Sequence, residues 1–409
     1  MPSDTDKLTN PDRHLGRKFR LAVDVEDMHA AALPYCTPSE AISLHLGYPD
    51  PRAFPAAELA EATGAVLSQS SQRALQYCEE RGDAVLRGAI ADMYARLPKT
   101  ITPDNVIITQ GTTDALEILP QLLISPHDVV LMEAPTYLWA IRSFRFRHAG
   151  MVGIPSDEGG IRTDLLRDRL AGLYANGVSP KFIYVMPDFQ NPSGHCMPLV
   201  RRRELLAVAE EFNLLVVEDN PYLELRYEGD RLPTLFELDD KGLVVLAGSF
   251  SKSVGPGIRL GWVVGPEEFI EKLARMKQTG ACTLLSRAVA LYINTPAYAE
   301  NLERARSIYK RKCNLMAFCL EESCPDDIGW KKPQGGFYFW LRLPPRVNVQ
   351  GLLDQAASRN LLFLNGRDFF CDETQWKSLR LSFSYEPEEK ISAGISLLGK
   401  LLRSDSSTR

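Results

Sequence analysis

Residues 243–262 read LVVLAGSFSKSVGPGIRLGW, and the rest of the chain is organised around this stretch. Its first five residues form an apolar run typical of a buried strand. The residues that follow include two hydroxyls (Ser249 and Ser251), one amine (Lys252) and one guanidinium (Arg259). Such groups suit a phosphate whose carrier also reacts with an amine. The stretch is also compatible with a glycine-rich turn that exposes a lysine.

Pyridoxal phosphate matches both halves of this description. It carries an anionic phosphate, and its aldehyde forms a Schiff base with a lysine amine. The sequence around Lys252 therefore raises the hypothesis of a pyridoxal-phosphate site, which the remaining segments of the chain have to support.

Apolar strands alternate with amphipathic helices from about residue 105 onward. The predicted strands cover residues 105–109, 128–132, 151–154, 181–186, 214–217, 243–247 and 258–264. This alternation indicates an α/β fold whose large domain has a mainly parallel, seven-stranded sheet between helices. Ligands bind such sheets beyond the carboxyl ends of the strands. The residues that follow strands here are Gly111, Tyr137, Asn191, Asp219 and Lys252.

The pattern changes after about residue 265, where long charged helices precede mixed strands and helices. We therefore predict three parts. Residues 1–55 form an N-terminal arm and a segment that joins the small domain, with a helical period over 18–32. Residues 56–285 form the large cofactor-binding domain, and residues 286–409 form a smaller α+β domain.

Composition excludes several classes of partner. The net charge of -5 and the pI near 5.8 give no electrostatic footprint for nucleic acid or acidic membranes. The eight cysteines lack metal-ligand spacing, so we expect no metal site and free thiols in a reducing compartment. No apolar run is long enough for a bilayer, and the first residues are polar. We expect a cytoplasmic protein that acts on a small molecule.

Four residues could contact the ring of the cofactor. Asp219 ends a buried strand, where its carboxylate would meet either a protonated pyridine nitrogen or the following turn. Asn191 and Tyr222 can donate to a phenolate oxygen, although Asn before Pro is also a common turn former. Tyr137 could stack on the ring or be a core aromatic residue.

Two further segments suit anions. Gly111-Thr112-Thr113 opens a helix after a strand, where free N–H groups and the helix dipole would hold a phosphate, or where threonine would simply cap the helix. Arg380 lies in an apolar alternating segment and would be costly to bury unpaired. Its partner would be a substrate carboxylate or a structural salt bridge.

A series of motifs runs in order through residues 40–400. They are Gly47-Tyr48-Pro49-Asp50-Pro51, Leu75-Gln76-Tyr77, Thr109-Gln110-Gly111, Ala134-Pro135-Thr136-Tyr137, Gln190-Asn191-Pro192-Ser193-Gly194, Glu218-Asp219-Asn220-Pro221-Tyr222, Gly248 to Trp262, Pro333 to Gly336 and Leu379 to Phe383. With these motifs the chain resembles the fold type I pyridoxal-phosphate enzymes of the class I/II aminotransferase group. The resemblance is greatest to the branch with 2-aminoadipate and kynurenine aminotransferases and the aminotransferase-like domains of bacterial regulators.

The resemblance implies an aspartate-aminotransferase-like fold, pyridoxal phosphate as cofactor and a homodimer with active sites at the subunit interface. It implies three catalytic residues: Lys252 as the Schiff-base lysine and proton shuttle, Asp219 on the pyridine nitrogen and Tyr137 stacked on the ring. The implied cofactor contacts are also Asn191, Tyr222, Gly111, Thr112, Thr113, Ser249, Ser251, Arg259 and, from the neighbouring subunit, Tyr77. The implied substrate contacts are Arg380, Asn191, Leu46, Gly47 and Tyr48.

The loop at residues 46–48 departs from the pattern of this branch, in which many members carry a Gly-Gly pair before Leu-Pro. Leu46-Gly47-Tyr48 would therefore alter the pocket. The implied reaction is transfer of an amino group between an L-amino acid and a 2-oxo acid. The alternatives are a biosynthetic elimination, replacement, cyclisation, decarboxylation or oxidation with the same cofactor, and a non-enzymatic ligand sensor.

Overall fold

The computed structural model describes residues 41–95, 100–277, 279–372 and 377–404. The predicted helix over 18–32 and most of the predicted arm lie outside the described residues. Within the described ranges, no helix is long and apolar enough to span a bilayer. In these same ranges, no group of three or more His, Cys, Asp and Glu side chains is placed to hold a metal ion.

Strands and helices alternate as the sequence predicts. The strands are, in chain order, β1 (Ile42–Ser43), β2 (Val106–Thr109), β3 (Val129–Ala134), β4 (Gly150–Asp157), β5 (Gly160–Ile161), β6 (Phe182–Val185), β7 (Leu215–Asp219), β8 (Val244–Ser249), β9 (Gly261–Val264), β10 (Tyr338–Arg342), β11 (Leu361–Leu362), β12 (Leu364–Asn365) and β13 (Ser378–Ser382). The α-helices are α1 (Ala56–Ala74), α2 (Ala84–Met93), α3 (Thr112–Leu123), α4 (Leu138–Phe146), α5 (Thr163–Ala175), α6 (Leu199–Glu211), α7 (Leu235–Leu238), α8 (Glu267–Ala274), α9 (Thr283–Ile293), α10 (Pro296–Ser323), α11 (Val349–Ala357) and α12 (Glu388–Ser404).

The large sheet has the strand order β2-β9-β8-β7-β6-β3-β4-β5. The neighbouring strands from β8 to β4 pair in parallel, whereas β9 is antiparallel to both β8 and β2. The predicted mainly parallel sheet is therefore confirmed. The seven predicted strands are joined at one edge by the two-residue strand β5, which pairs antiparallel with β4.

Successive residues of each central strand enter two different hydrophobic cores, because side chains of a strand alternate between the two faces of a sheet. In β6, Phe182 and Tyr184 pack in one core, and Ile183 and Val185 pack in the other. Helices α3, α4 and α8 cover the first face, and α1, α2, α5, α6 and α9 cover the second. Runs that are apolar at every position thus form strands buried on both sides.

Strand β7 ends with two adjacent buried carboxylates that face opposite sides of the sheet. Glu218 accepts hydrogen bonds from the N–H groups of Leu235 (3.2 Å) and Phe236 (2.8 Å) at the start of α7. Asp219 faces the other side and accepts a hydrogen bond from Tyr184. The first carboxylate fixes a helix, and the second points toward the carboxyl edge of the sheet.

The C-terminal part of the chain builds a smaller α+β domain, as predicted. Strands β10, β13 and β12 form an antiparallel sheet. Helices α10, α11 and α12 supply apolar residues to the core that contains β10 and β13. The N-terminal strand β1 pairs in parallel with β11. The predicted boundaries at residues 55 and 285 stay predictions.

Candidate active site

Lys252 lies three residues beyond the end of β8, in the turn that leads toward β9. Its Nζ donates a hydrogen bond to the carbonyl oxygen of Gly47 at 3.0 Å. The same Nζ lies 5.9 Å from the ring centroid of Tyr222 and 5.7 Å from that of Phe337. Burial and the positive charges of Arg380 and Arg259 lower the pKa of Lys252 to about 8. A larger share of its amine is therefore neutral near pH 7 than for an ordinary lysine.

Asp219 is fully buried and only half satisfied. Its Oδ2 accepts a hydrogen bond from the Tyr184 hydroxyl at 2.6 Å. Its Oδ1 has no hydrogen-bond partner among the residues that the structure describes. Burial raises the pKa of Asp219 to about 7, although the Tyr184 hydrogen bond opposes this effect. An unpaired buried carboxylate oxygen is costly, so the site suits a ligand that brings a positively charged N–H group.

Four of the predicted phosphate ligands come together where β2, β8 and β9 meet. Arg259 Nη2 donates to the carbonyl oxygen of Gln110 at 2.9 Å, beside Gly111. A Cβ placed on Gly111 would lie 3.4 Å from the same nitrogen. Ser249 Oγ donates to Ser251 Oγ at 2.9 Å. These groups form a cradle that suits a doubly charged anion.

Helix α3 begins beside this cradle, with Thr112 and Thr113 in its first turn. Gly111 occupies the N-cap position with a φ of 81° and provides no capping side chain. A left-handed φ favours glycine. The first N–H groups of α3 and the positive end of its dipole are therefore free of a side-chain cap and suit a phosphate.

Arg380 is a buried cation without a carboxylate partner among the described residues, and its side chain is only 4% exposed. Its Nη1 donates to Asn191 Oδ1 at 2.9 Å, and its Nη2 donates to the carbonyl oxygen of His45. Its Nε is buried and has no partner in the described part of the chain. Burial lowers the pKa of Arg380. The site therefore suits a ligand carboxylate.

Three tyrosines, Tyr222, Tyr338 and Tyr137, lie near Lys252 and Arg380. The hydroxyls of Tyr222 and Tyr338 are 2.9 Å apart. Tyr137 precedes helix α4 at its N-cap position and is partly buried. Burial, together with nearby Tyr338 and Asp219, raises the pKa of Tyr137. Burial likewise raises the pKa of Tyr222. The phenol groups of Tyr137 and Tyr222 therefore remain neutral at physiological pH and can donate hydrogen bonds.

The loop at residues 46–48 lies next to Lys252. Gly47 accepts the hydrogen bond from the lysine amine, as described above. The carbonyl oxygen of Tyr48 accepts a hydrogen bond from Ser384 Oγ at 2.7 Å. Leu46 is partly buried, and the Tyr48 side chain is 43% exposed, with its ring edge-on to Tyr385 at 6.0 Å. The loop therefore connects the lysine to the small domain.

Tyr77 is the one predicted cofactor residue that stays outside this cluster. It is 98% exposed, and Leu75 beside it is 71% exposed. Two residues that the sequence reasoning missed belong to the cluster, namely Tyr184 and Tyr338. Tyr184 lies two residues after the buried Phe182 of β6, on the same face of the sheet. Tyr338 lies two residues before Trp340, which pairs with Arg380. This spacing of two residues along a strand is the sequence signal that could have pointed to them.

Comparisons with known proteins agree with this chemistry. The family model described as "Aminotransferase class I and II" matches residues 42–395. The chain is 36% identical over 371 residues to the aromatic-amino-acid aminotransferase 1 of Thermococcus litoralis, covering 90% of this chain and 89% of the relative.

Two solved structures are similar over nearly the whole length. The kynurenine aminotransferase of Pyrococcus horikoshii, in complex with PMP, has a TM-score of 0.88 at 29% identity and covers 98% of both chains. The alpha-aminoadipate aminotransferase of Thermus thermophilus, complexed with N-(5'-phosphopyridoxyl)-L-leucine, has a TM-score of 0.85 at 30% identity and covers 100% of both chains. The chain therefore belongs to the class I and II aminotransferase family and is a pyridoxal-phosphate-dependent aminotransferase.

Proposed function

We propose that this aminotransferase moves the amino group of L-amino acids with aromatic or long side chains to a 2-oxo acid, with Lys252 as the base. The observation that carries the proposal is a chain of contacts around one site. Lys252 faces Tyr222, Tyr222 contacts Tyr338, and the Tyr338 ring lies 4.4 Å from the guanidinium of Arg380. An amine, two phenol groups and a buried guanidinium thus form one connected cluster of side chains.

The bound pyridoxal phosphate supplies an aldehyde for amine exchange and a ring that withdraws electrons from the substrate α-carbon. Asp219, whose Oδ1 lacks a partner among the described residues, would accept the hydrogen bond of the ring nitrogen and keep that nitrogen protonated. The cradle of Gly111, Ser249, Ser251 and Arg259 would hold the phosphate, as would the first turn of α3.

Lys252 would anchor the cofactor covalently and then carry the proton between the substrate α-carbon and the cofactor. Its lowered pKa, about 8, favours this work because a base must be neutral before it accepts a proton. Arg380 would hold the substrate α-carboxylate with Asn191 beside it, since these two side chains already share a hydrogen bond of 2.9 Å.

The substrate class rests on the relatives and on the aromatic lining. Similar proteins are named for aromatic amino acids, kynurenine and alpha-aminoadipate. Tyr338, Phe337 and Phe369 surround Lys252 and Arg380, with Phe369 5.1 Å from the guanidinium. Large flat or long side chains gain most from such a lining.

We also propose a homodimer in which Tyr77 reaches the phosphate of the neighbouring subunit. The 98% exposure of this tyrosine, next to exposed Leu75, supports a surface that a second copy covers. A cytoplasmic location stays a prediction, supported by the described cysteines, which form no disulfide.

A single-turnover experiment tests the reaction. Purified enzyme is mixed with one L-amino acid and no acceptor, while absorbance and product mass are followed. We expect conversion of the cofactor to its pyridoxamine form with release of one 2-oxo acid, and no conversion with the D-enantiomer. Elimination, decarboxylation or another outcome would instead leave the cofactor in its aldehyde form and yield a different product mass.

Lys252→Ala separates the role of the lysine from the overall reaction. We expect this variant to lose the absorbance band of covalently bound cofactor and to stop turnover, while it still folds. A variant that kept both would contradict the role of Lys252.

A further inference from the structure

Tyr338 contacts two residues of the proposed site, Tyr222 and Arg380, which are far from it in the sequence. It is the first residue of β10 and is 2% exposed. Its hydroxyl lies 2.9 Å from the hydroxyl of Tyr222, and its ring lies 4.4 Å from the guanidinium of Arg380. It therefore stands between the tyrosine proposed for the cofactor and the arginine proposed for the substrate.

The hydroxyls of Tyr222 and Tyr338 can each donate one hydrogen bond, which limits how the pair can be arranged. Each phenol has one proton to donate and lone pairs that accept. If Tyr222 donates to the cofactor oxygen O3′, its own oxygen remains free to accept, and Tyr338 is the group that can donate to it. Burial raises the pKa of Tyr222, with Tyr338 adding to this effect, so its proton stays in place to be donated.

The ring of Tyr338 supports Arg380 from one side. The cation lies over the ring face at a distance typical of a cation–π contact. Phe369 lies 5.1 Å from the same guanidinium, so Arg380 contacts two aromatic rings. This arrangement stabilises a buried arginine that has no acidic partner in the described residues, and it orients the group for a planar carboxylate.

The hydroxyl also limits the loop that faces Lys252. A Cβ built on Gly47 would lie 2.0 Å from Tyr338 Oη and 3.0 Å from Cζ. Glycine is therefore required at position 47 because the phenol occupies the space of a side chain. Tyr338 therefore packs closely against the glycine whose carbonyl oxygen accepts the hydrogen bond from the lysine amine.

We propose that Tyr338 is a positioning residue whose hydroxyl orients Tyr222 for the cofactor and whose ring orients Arg380 for the substrate carboxylate. This inference rests on the proposed function, in which those two residues bind these groups. The two roles reside in different atoms of one side chain, so two substitutions separate them.

Tyr338→Phe removes only the hydroxyl. Without the Tyr338 donor, Tyr222 donates less effectively to O3′, and that oxygen attracts the neighbouring proton of the bound cofactor more strongly. We expect the pH midpoint of the bound cofactor's absorbance change to rise by roughly half a unit to one unit. We expect a lower kcat and a KM for the amino acid within about twofold of the wild type, because the ring under Arg380 remains.

Tyr338→Leu removes the ring as well. We expect the same shift of the absorbance midpoint and, in addition, a KM about tenfold higher, because the guanidinium loses the aromatic surface beneath it. The matched control is Tyr292→Phe. It removes another buried tyrosine hydroxyl, on the opposite face of the sheet, that has no partner among the described residues. We expect its absorbance midpoint, kcat and KM to equal those of the wild type.

An unchanged absorbance midpoint in a folded Tyr338→Phe protein would overturn the hydroxyl role. An equal rise of KM in both variants would overturn the separate role of the ring. The absorbance titration needs no substrate. It therefore tests the role of the Tyr338 hydroxyl even if the single-turnover experiment rejects the proposed reaction. Denaturation curves of all three variants establish that each is folded before the comparison.

Discussion

At the scale of single residues, Asp219, the acid proposed to bind the ring nitrogen of the cofactor, makes folding depend on pH. Burial raises its pKa to about 7, against 3.8 for an unperturbed aspartate. Between these two values the folded protein holds a proton that the unfolded chain releases. The contribution of Asp219 to stability is therefore complete below about pH 4 and is lost as the pH rises toward 7.

Asp219→Asn tests this behaviour in the cofactor-free protein. Asparagine cannot ionise, so we expect the free energy of unfolding to fall less between pH 4 and pH 7 in the variant than in the wild type. Denaturant titrations at several pH values measure the difference. Glu218, whose pKa burial also raises to about 7, is present in both proteins and cancels. Parallel pH profiles would contradict the assignment.

Arg380→Lys tests the proposed carboxylate site. Lysine keeps the charge but lacks the planar fork that can bind a carboxylate through two hydrogen bonds. We expect KM for the amino acid to rise about tenfold to a hundredfold, since hydrogen bonds to charged groups are worth about 1.5–3 kcal/mol. Cofactor affinity, measured by equilibrium titration, should change little. An equal loss of cofactor affinity would show that Arg380 acts on the whole site.

The sequence predicts which charged residues need a binding partner better than it predicts which side chains the fold places beside them. Asp219 and Arg380 stand out because a charge in an apolar segment requires a partner. Of the alternatives for Arg380, a structural salt bridge is not formed with any described carboxylate. Tyr184 and Tyr338 could not be predicted, because their partners are 35 and 116 residues away in the chain and are brought near only by the fold.

At the scale of elements, a buried ion pair anchors the loop that faces Lys252. Asp50 contacts Lys312 of α10 at 2.5 Å and is also bonded by Arg52. Lys312 donates to the carbonyl oxygen of Ser384 at 2.8 Å. Although burial opposes ionisation, the hydrogen bonds from Arg52 and Lys312 lower the pKa of Asp50 to about 2. The loop is thus fastened to both α10 and the segment after β13.

Lys312→Met should weaken this anchor strongly. Removal of one partner of a buried pair leaves the other charge poorly compensated, and we expect a loss of about 3 kcal/mol in the free energy of unfolding. Urea denaturation measures it. Lys331→Met is the control, because Lys331 pairs with Glu158 at 3.1 Å on the surface, where such pairs are worth at most about 1 kcal/mol. Equal losses would mean that the buried pair is not an anchor.

Strands were predictable from the sequence where an apolar run has the period and length of a buried strand. They were less predictable where a strand is very short or pairs with a segment far away in the sequence. The seven predicted strands of the large sheet are present, because apolar β-branched runs form buried strands over a few residues. Strand β5 has two residues and gives no periodic signal. The pairing of Ile42 with Leu361 joins segments at opposite ends of the sequence, and no local pattern encodes it.

At the scale of the whole molecule, the proposed site would be complete only in a dimer. Mixed dimers of Lys252→Ala and Tyr77→Ala test this arrangement. Each hybrid would contain one site with both native residues, so random mixing should restore native sites to about a quarter of the wild-type number. Activity is measured at a cofactor concentration that saturates the wild type but not Tyr77→Ala. Activity equal to the average of the two separate variants would show that Tyr77 does not act across subunits.

The two acids at the end of β7 have a consequence for how this chain can change. Glu218 and Asp219 are one peptide bond apart, and only their order decides which one holds α7 and which one faces the proposed cofactor site. Because side chains of a strand alternate between the two faces of the sheet, a shift of one residue along β7 would turn each side chain to the other face. Deletion of a single residue within Leu215–Asp219 would turn the side chains of the shifted part of the strand to the opposite faces. The same deletion would therefore remove both the carboxylate that binds the start of α7 and the carboxylate proposed to bind the ring nitrogen. Insertions and deletions that preserve function are accordingly expected in the loops before and after this strand, and not within it.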